Sequence, residues 1–363
     1  MARATVENIR NIVLCGHSSS GKTTLVDHLL ISTGAISGHH SVDDGTSVCD
    51  FDPEEKAHKH TVDPKVVHLD YAGKRFNLVD TPGYPDFIGQ TIGAMYGVDL
   101  AIIVINAHSG IEVNTRRVFQ EASKAGIARL IVVDKLDTDH AQFAELFDSI
   151  HALWGETCVP LNVPVVKQGQ LTGVMSVLDV PADRTGAVLD PADLHLRLIE
   201  AIVESDEEVM ERYLDGETPT PEKLVTLMAK AIAGGHLVPI LCCSGKCDIG
   251  LAEMLDAISQ YGPSPASIPQ HARRNGDTLD ILPDPSGPLV ARVFKTRVDP
   301  FVQKLSFLRI YSGTIKKDDT VAINGTKRSI KVGPLLEVQG ANVSNVEQAG
   351  PGDIVALAKM EDL

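Results

Sequence analysis

Gly16, Gly21, Lys22 and Thr23 stand at the spacing G-x-x-x-x-G-K-T, with His17, Ser18, Ser19 and Ser20 as the small polar middle and Thr24 following. Those residue types in that order suit the holding of a polyphosphate. Small residues let successive backbone N–H groups converge on phosphate oxygens, the start of a helix adds positive potential, and the lysine reaches the terminal phosphates. Thr23 is placed to offer its hydroxyl to a magnesium ion. A chance glycine loop before a core helix is the plainer reading. It does not account for the order in which strand, loop and helix occur.

Three later stretches add chemistry at the ends of apolar runs. Asp80-Thr81-Pro82-Gly83 closes one run, where an aspartate suits a magnesium shell and a glycine N–H suits a terminal phosphate. Asp134-Lys135-Leu136-Asp137 closes another and looks like the base-reading pattern N-K-x-D. There Asp137 would accept from the ring N–H and amino group of guanine, a paired donor edge that adenine lacks. Ser244-Gly245-Lys246 follows a third run and offers backbone N–H to the guanine oxygen. Each stretch alone is weak, and their order along the chain gives them weight together.

The elements that must position these residues follow from hydropathy. Asn11–Cys15, Leu100–Asn106, Arg129–Val133 and Leu237–Cys242 are short apolar runs that read as buried strands, with helices predicted from Lys22, over Val113–Ala125 and over His140–Leu153. Val66–Leu69 and Phe76–Val79 flank Ala72-Gly73 as a hairpin, and Val159–Leu178 reads as short strands around Gly169 and Gly173. The alternation predicts an α/β domain with a mostly parallel sheet. Ser32–His60 is polar and aperiodic, the character of a functional loop. Six prolines between Gly262 and Pro288, with turns at Asn275-Gly276 and Ser286-Gly287, read as a linker. Beyond it, Leu289–Lys295, Lys304–Tyr311, Thr320–Ile323 and Lys327–Val332 alternate at strand period, with turns at Gly313 and Asn324-Gly325, and predict a small all-β barrel domain.

A chain of 363 residues with 43% apolar content suits two or three globular domains. The longest apolar runs fall far short of the ~20 residues a bilayer span needs, and no secretory leader precedes Gly16. Six cysteines without a disulfide framework or zinc spacing read as free thiols of a cytoplasmic protein. The net charge of −15 argues against general nucleic-acid binding. Much of it lies in Pro181–Lys223, with twelve acidic residues against four basic ones, where one helix is expected over Ala192–Leu214 and another after Thr220-Pro221-Glu222. That face suits a basic partner or simply a solvated surface.

With these motifs in place the chain resembles bacterial elongation factor G and its paralogues among the translational GTPases. The likeness runs through Ile31-Ser32-Thr33-Gly34, DTPG at Asp80, GIE at Gly110, PILCCSG at Pro239 and RIYSGT at Arg309. It implies a G domain over residues 1–157 and 237–262, a G′-like insertion over 158–236, a linker over 263–288 and a β-barrel domain II over 289–363. Lys359–Leu363 resemble a point inside that domain, and the family continues into three further domains, so the resemblance implies a fragment. It further implies GTP or GDP with Mg2+ as ligands and the ribosome as partner, with the acidic insertion meeting the stalk protein and most RNA contacts lying in the absent domains. Thr61 precedes Asp80 by 19 residues, the separation of the family's switch threonine. The resemblance therefore makes Thr61 the candidate second magnesium ligand, in a metal set with Thr23 and Asp80; a threonine that starts a strand is the plainer reading.

Four departures from the family bear on chemistry. Tyr84 stands where the family has the histidine that positions the attacking water, so the expected catalytic group beside Lys22 and Gly83 is a phenol, neutral at pH 7 with a reference pKa of ~10. Ser18 and His60 replace two apolar gate residues, with His60 a candidate substitute for the lost histidine. Ser19 replaces a P-loop aspartate, which removes an expected monovalent-cation ligand. Asp134 replaces an asparagine and, as an acceptor only, would face guanine N7. The functional expectation is a GTPase with slow or atypical hydrolysis. The alternatives are a nucleotide-gated ribosome-binding factor that does not hydrolyse and, from Asp134 alone, a P-loop ATP enzyme.

Overall fold

The computed structural model describes residues 4–138, 142–274, 276–299, 303–324 and 329–360. Strands with no polar alternation must be covered on both faces, and β1 (Ile9–Gly16) is buried at every position. The chain returns through α1 (Lys22–Ser32), then a short α2 (Pro53–His58). β2 (Lys65–Tyr71) and β3 (Lys74–Asp80) form the expected hairpin, with Ala72 at φ 48° and Gly73 at φ 73° supplying the left-handed turn. Next come α3 (Ile88–Met95), β4 (Leu100–Asn106), α4 (Val113–Lys124), β5 (Ala128–Asp134) and α5 (Phe143–Trp154). Then follow β6 (Cys158–Pro160), the hairpin of β7 (Asn162–Lys167) with β8 (Gln170–Ser176), and helices α6 (Pro191–Val203), α7 (Glu207–Leu214) and α8 (Pro221–Ala233). β9 (Val238–Cys242) and α9 (Leu251–Tyr261) close this unit.

Seven strands form one sheet in the order β2-β3-β1-β4-β5-β9-β6, and β2 is the one antiparallel member. The chain leaves β1 for β2 and β3 on one side and for β4 on the other, so the order reverses at the carboxyl end of β1. Crevices of that kind are where open α/β sheets bind ligands. Register brings the motifs to this edge: Leu14 lies beside Asp80, Gly16 beside Val104, Asn106 beside Asp134, and Val133 beside Cys242.

A short ribbon of β10 (Gln270–Arg274) and β11 (Asp277–Ile281) leads to the β domain. Its strands are β12 (Val290–Asp299), β13 (Gln303–Ser312), β14 (Ile315–Lys316), β15 (Thr320–Ala322), β16 (Ser329–Lys331), β17 (Leu335–Gln339), β18 (Asn342–Val346), β19 (Gln348–Ala349) and β20 (Ile354–Ala358). A five-stranded antiparallel sheet in the order β12-β13-β20-β17-β18 is joined by ribbons β14-β19 and β15-β16. The two units pack closely. Gln339 exchanges hydrogen bonds with the His68 backbone at 2.8 and 3.1 Å, covering the exposed edge of β2. Arg309 meets both oxygens of Asp99 at 2.9 and 3.1 Å, each residue 1% exposed.

Several sequence expectations need correction. The single acidic helix over Ala192–Leu214 is two helices, because Asp206 stops the first run and caps α7 by accepting from the Val209 N–H at 3.4 Å. The proline-rich linker contains the β10–β11 ribbon. The aperiodic loop hides α2, whose start carries an Asp52-Pro53 cap and Glu55, a signature readable in the sequence. The helix expected from His140 begins at Phe143; His140 itself, Asn275, Gly325, Lys327 and residues 361–363 lie outside the described residues.

Candidate nucleotide site

The P-loop backbone leaves the ordinary regions where its spacing demands it. Gly16 has φ 151° and Gly21 φ 108°, and a Cβ at Gly16 would strike the Val104 carbonyl. Ser19 adopts φ 59°, and its carbonyl accepts from Lys135 Nζ at 2.9 Å. Lys22 is buried, donates to the His17 carbonyl at 2.7 Å, and has its pKa lowered by burial against the opposing pull of Asp80. His17 faces Glu112 at 3.3 Å. Ser18 is half-buried, Ser20 is buried with its hydroxyl unpartnered among the described residues, and Thr24 is exposed.

Four oxygen-bearing side chains meet beside this loop. Thr23 Oγ1 is 2.7 Å from Asp80 Oδ2 and 3.0 Å from Thr61 Oγ1, while Thr61 donates to Asp50 Oδ1 at 2.8 Å. With each hydroxyl proton given to a carboxylate, the two threonine oxygens confront each other through lone pairs. Asp80 Oδ1 and Asp50 Oδ2 are buried without a partner among the described residues. Burial pushes the Asp80 carboxyl up to about 7, and the charge on Asp50 adds to it. Hydroxyl and carboxylate oxygens with orphaned lone pairs are the donor set of a hard divalent cation. No cluster of three His, Cys, Asp or Glu ligands occurs among the described residues, so this set differs from a zinc-type site.

Gly83 passes directly over the loop: a Cβ there would come within 2.5 Å of Lys22 Nζ and 2.7 Å of the His17 carbonyl. Its own carbonyl accepts from the buried Asn114 at 2.8 Å. Tyr84 is 40% exposed, and its ring centroid lies 4.7 Å from that of His60.

At the other end of the crevice Asp134 is buried, and its Oδ1 accepts from the Gly245 N–H at 3.1 Å and faces Cys243 Sγ at 3.7 Å. Burial raises its pKa, which the Gly245 and Lys135 N–H groups partly offset. A Cβ on Gly21 would collide with Asp134 Oδ2, so the aspartate links the P-loop to the Ser244–Gly245 turn. Asp137 Oδ1 accepts from Ser244 Oγ at 2.6 Å, and Lys246 is exposed beyond it. Lys135, at φ 63°, turns the chain between the two aspartates.

Comparison with known proteins accords with this arrangement. Residues 7–264 match the family described as "Elongation factor Tu GTP binding domain", and residues 288–363 match "Elongation factor G domain 2". The chain belongs to the elongation factor G family of translational GTPases. Proteins called "Elongation factor G-like protein" in two strains of Mycobacterium tuberculosis, CDC 1551 / Oshkosh and H37Rv, are each 36% identical over 331 residues, covering 87% of this chain and 46% of the relative. A crystal structure from Thermus thermophilus superposes with a TM-score of 0.86 at 32% identity, over 98% of this chain and 53% of that one. This family member therefore spans about half the length of the relatives it matches.

Three residues of the crevice escaped sequence reasoning. Asp50 sits in the aperiodic loop, flanked by the apolar Cys49 and Phe51; an acid between two apolar neighbours was the available signal. Glu112 and Asn114 lie at the start of α4, where an asparagine beside an apolar helix face reads as an ordinary polar position. Only the fold turns them toward His17 and Gly83.

Proposed function

We propose that the chain binds GTP and GDP with Mg2+ and couples slow GTP hydrolysis to rearrangement of the segments carrying Thr61 and Gly83, in a factor that acts on the ribosome in the cytoplasm. The observation that carries this reading is the convergence of Thr23, Asp80, Thr61 and Asp50 beside Lys22, with two buried carboxylate oxygens unpartnered among the described residues. Thr23, Thr61 and Asp80 would hold the magnesium ion. Bound there, it would offset the charge of the terminal phosphates. The backbone N–H groups from Gly16 to Thr24 and the Lys22 ammonium would cradle the phosphates, and Gly83 would bring its N–H to the terminal one.

Hydrolysis requires water to attack the terminal phosphorus while the bond to the bridging oxygen breaks, releasing GDP and phosphate. Tyr84 is the side chain beside Gly83 on that path. A neutral phenol orients water without accepting its proton, so the expected rate lies below that of relatives bearing histidine, by about 10²–10⁴-fold. At the base end, Asp137 would read guanine with Ser244, Gly245 and Lys246, while Lys135 braces the P-loop. Asp134 holds the Gly245 turn and lowers affinity by presenting a carboxylate to the base. The acidic α6–α7 face of the insertion would meet the ribosomal stalk protein.

A second reading is favoured by the exposure of Tyr84 and its packing on His60: a nucleotide-gated ribosome-binding factor that hydrolyses little. Affinities of this chain for GTP, GDP and ATP test the nucleotide site directly. Guanine nucleotides should bind at least tenfold more tightly than ATP, and displacement by ATP as effective as by GTP sinks the base assignment. Single-turnover hydrolysis by the full-length protein on ribosomes separates the two readings; the rate of an ordinary histidine-bearing factor would refute slow chemistry at Tyr84.

A further inference from the structure

The segment between Asp50 and Lys65 is held from two sides, and one side belongs to the β domain. From within, Lys65 Nζ lies 2.6 Å from Asp52 and 2.9 Å from Glu55, and Glu55 accepts the N–H groups of Val62 and Asp63 at 3.0 and 3.3 Å. From the β domain, Lys295 on β12 bonds both the Asp63 carboxylate and the Pro64 carbonyl, and is 7% exposed. Two residues along the same strand, Arg297 Nη2 lies 3.0 Å from Asp52 Oδ1, and its guanidinium sits 4.6 Å over the Phe51 ring. Thr61 stands between these anchors, two residues from Asp63.

The same strand also reaches the C-terminal end of α3, the helix that follows the Gly83 turn. Phe294 packs so closely on Gly97 that a Cβ there would approach its ring to 2.6 Å, and the Arg292 guanidinium lies 4.0 Å over the Tyr96 ring. Both residues follow α3 directly. β12 therefore touches the segment that carries Thr61 and, away from the crevice, the far end of the helix that follows Gly83. We infer that Lys295 and Arg297 are positioning residues of the nucleotide site: by fixing Asp63 and Asp52 they set where Thr61 stands, and so make recognition of a triphosphate depend on the β domain. The inference rests on the nucleotide reading given above.

Interface strength alone does not explain this placement. The buried Arg309–Asp99 pair and the Gln339–His68 hydrogen bonds already join the two units away from Thr61. Lys295 and Arg297 instead address a loop segment, and removing either leaves a carboxylate of that segment without its β-domain partner. A loop residue that loses one of two anchors samples more positions, and only a ligand that needs Thr61 registers the loss.

The test uses the whole chain and two probes, GDP and a non-hydrolysable GTP analogue, each competed against fluorescent GDP in Mg2+. Arg297→Ala and Lys295→Ala are expected to weaken the GTP analogue on the order of tenfold while GDP affinity stays within about twofold. Lys295→Arg should retain the wild-type preference, and trypsin cleavage at Lys56 and Lys59 should accelerate in the alanine variants with the GTP analogue bound. Gln339→Ala, which loosens the interface elsewhere, should leave the ratio of the two affinities unchanged. Equal losses for GDP and the GTP analogue, no loss for either, or the same change in Gln339→Ala would overturn the inference. Failure of the unaltered chain to bind either guanine nucleotide would overturn the nucleotide reading and this inference with it.

Discussion

The two ends of the crevice solve the problem of buried polar groups in opposite ways. At the phosphate end Asp80 and Asp50 each keep one buried oxygen without a partner among the described residues, and Thr23 and Thr61 face each other through lone pairs. At the base end Asp134 and Asp137 are engaged by the protein's own donors, the Gly245 N–H and the Ser244 hydroxyl. Leaving a buried carboxylate oxygen unsatisfied costs about 1–3 kcal/mol or more, a cost that the proposed cation would relieve at the phosphate end. The base end is already internally complete, and a base must compete with or reuse those bonds. On the proposed nucleotide reading, the difference would put ligand-dependent stability at Thr23, Thr61 and Asp80, and the tuning of affinity at Asp134.

Substitutions at each end would break or sharpen that contrast. The largest effect is expected from Tyr84→His, which puts an imidazole beside Gly83 and should raise single-turnover GTP hydrolysis by about 10²–10⁴-fold with nucleotide affinity little changed. An unchanged rate would mean that the phenol is not what limits the chemistry. Asp134→Asn should tighten GDP and GTP by about 5- to 150-fold, because an amide can donate where the carboxylate only accepts. Equilibrium titration with fluorescent GDP measures it, and weaker binding would assign Asp134 wholly to bracing the Gly245 turn. Asp50→Asn should lower magnesium affinity of the nucleotide complex by about 10–100-fold, read as the Mg2+ concentration that supports GTP binding. Smallest is Ser244→Ala, which frees Asp137 from its 2.6 Å bond and should cost about 2- to 10-fold in GDP affinity without altering the Mg2+ requirement.

Legibility in the sequence followed chemistry and distance along the chain. The P-loop, the Asp80 turn, the Asp134 turn and the Ser244 turn were readable because each is a short strand end with its own residue types. The α2 helix was hidden by the polarity of its surroundings, although Asp52-Pro53 and Glu55 announced its start. The split between α6 and α7 escaped notice because acidic residues serve equally as helix surface and as caps; Asp206 becomes a cap only where the chain turns. Asn114, Lys295 and Arg297 carry no local pattern that sets them apart from ordinary polar positions, and the apolar neighbours of Asp50 and the GIE stretch of Glu112 do not say what either residue meets. Their roles depend on partners between 11 and 245 residues away.

Sequence alone determined that this chain has a phosphate cradle, the strand ends that surround it and a second, antiparallel unit, because glycine conformations, strand burial and turn chemistry act over a few residues. Tertiary structure alone decided which polar groups meet. The parallel register set Asp80 beside Leu14 and Asp134 beside Asn106. The packing of β12 against the loop before β2 brought Lys295 and Arg297 to Asp63 and Asp52. Local propensity fixes what a segment is; burial and charge pairing across distant segments fix where Thr61 stands.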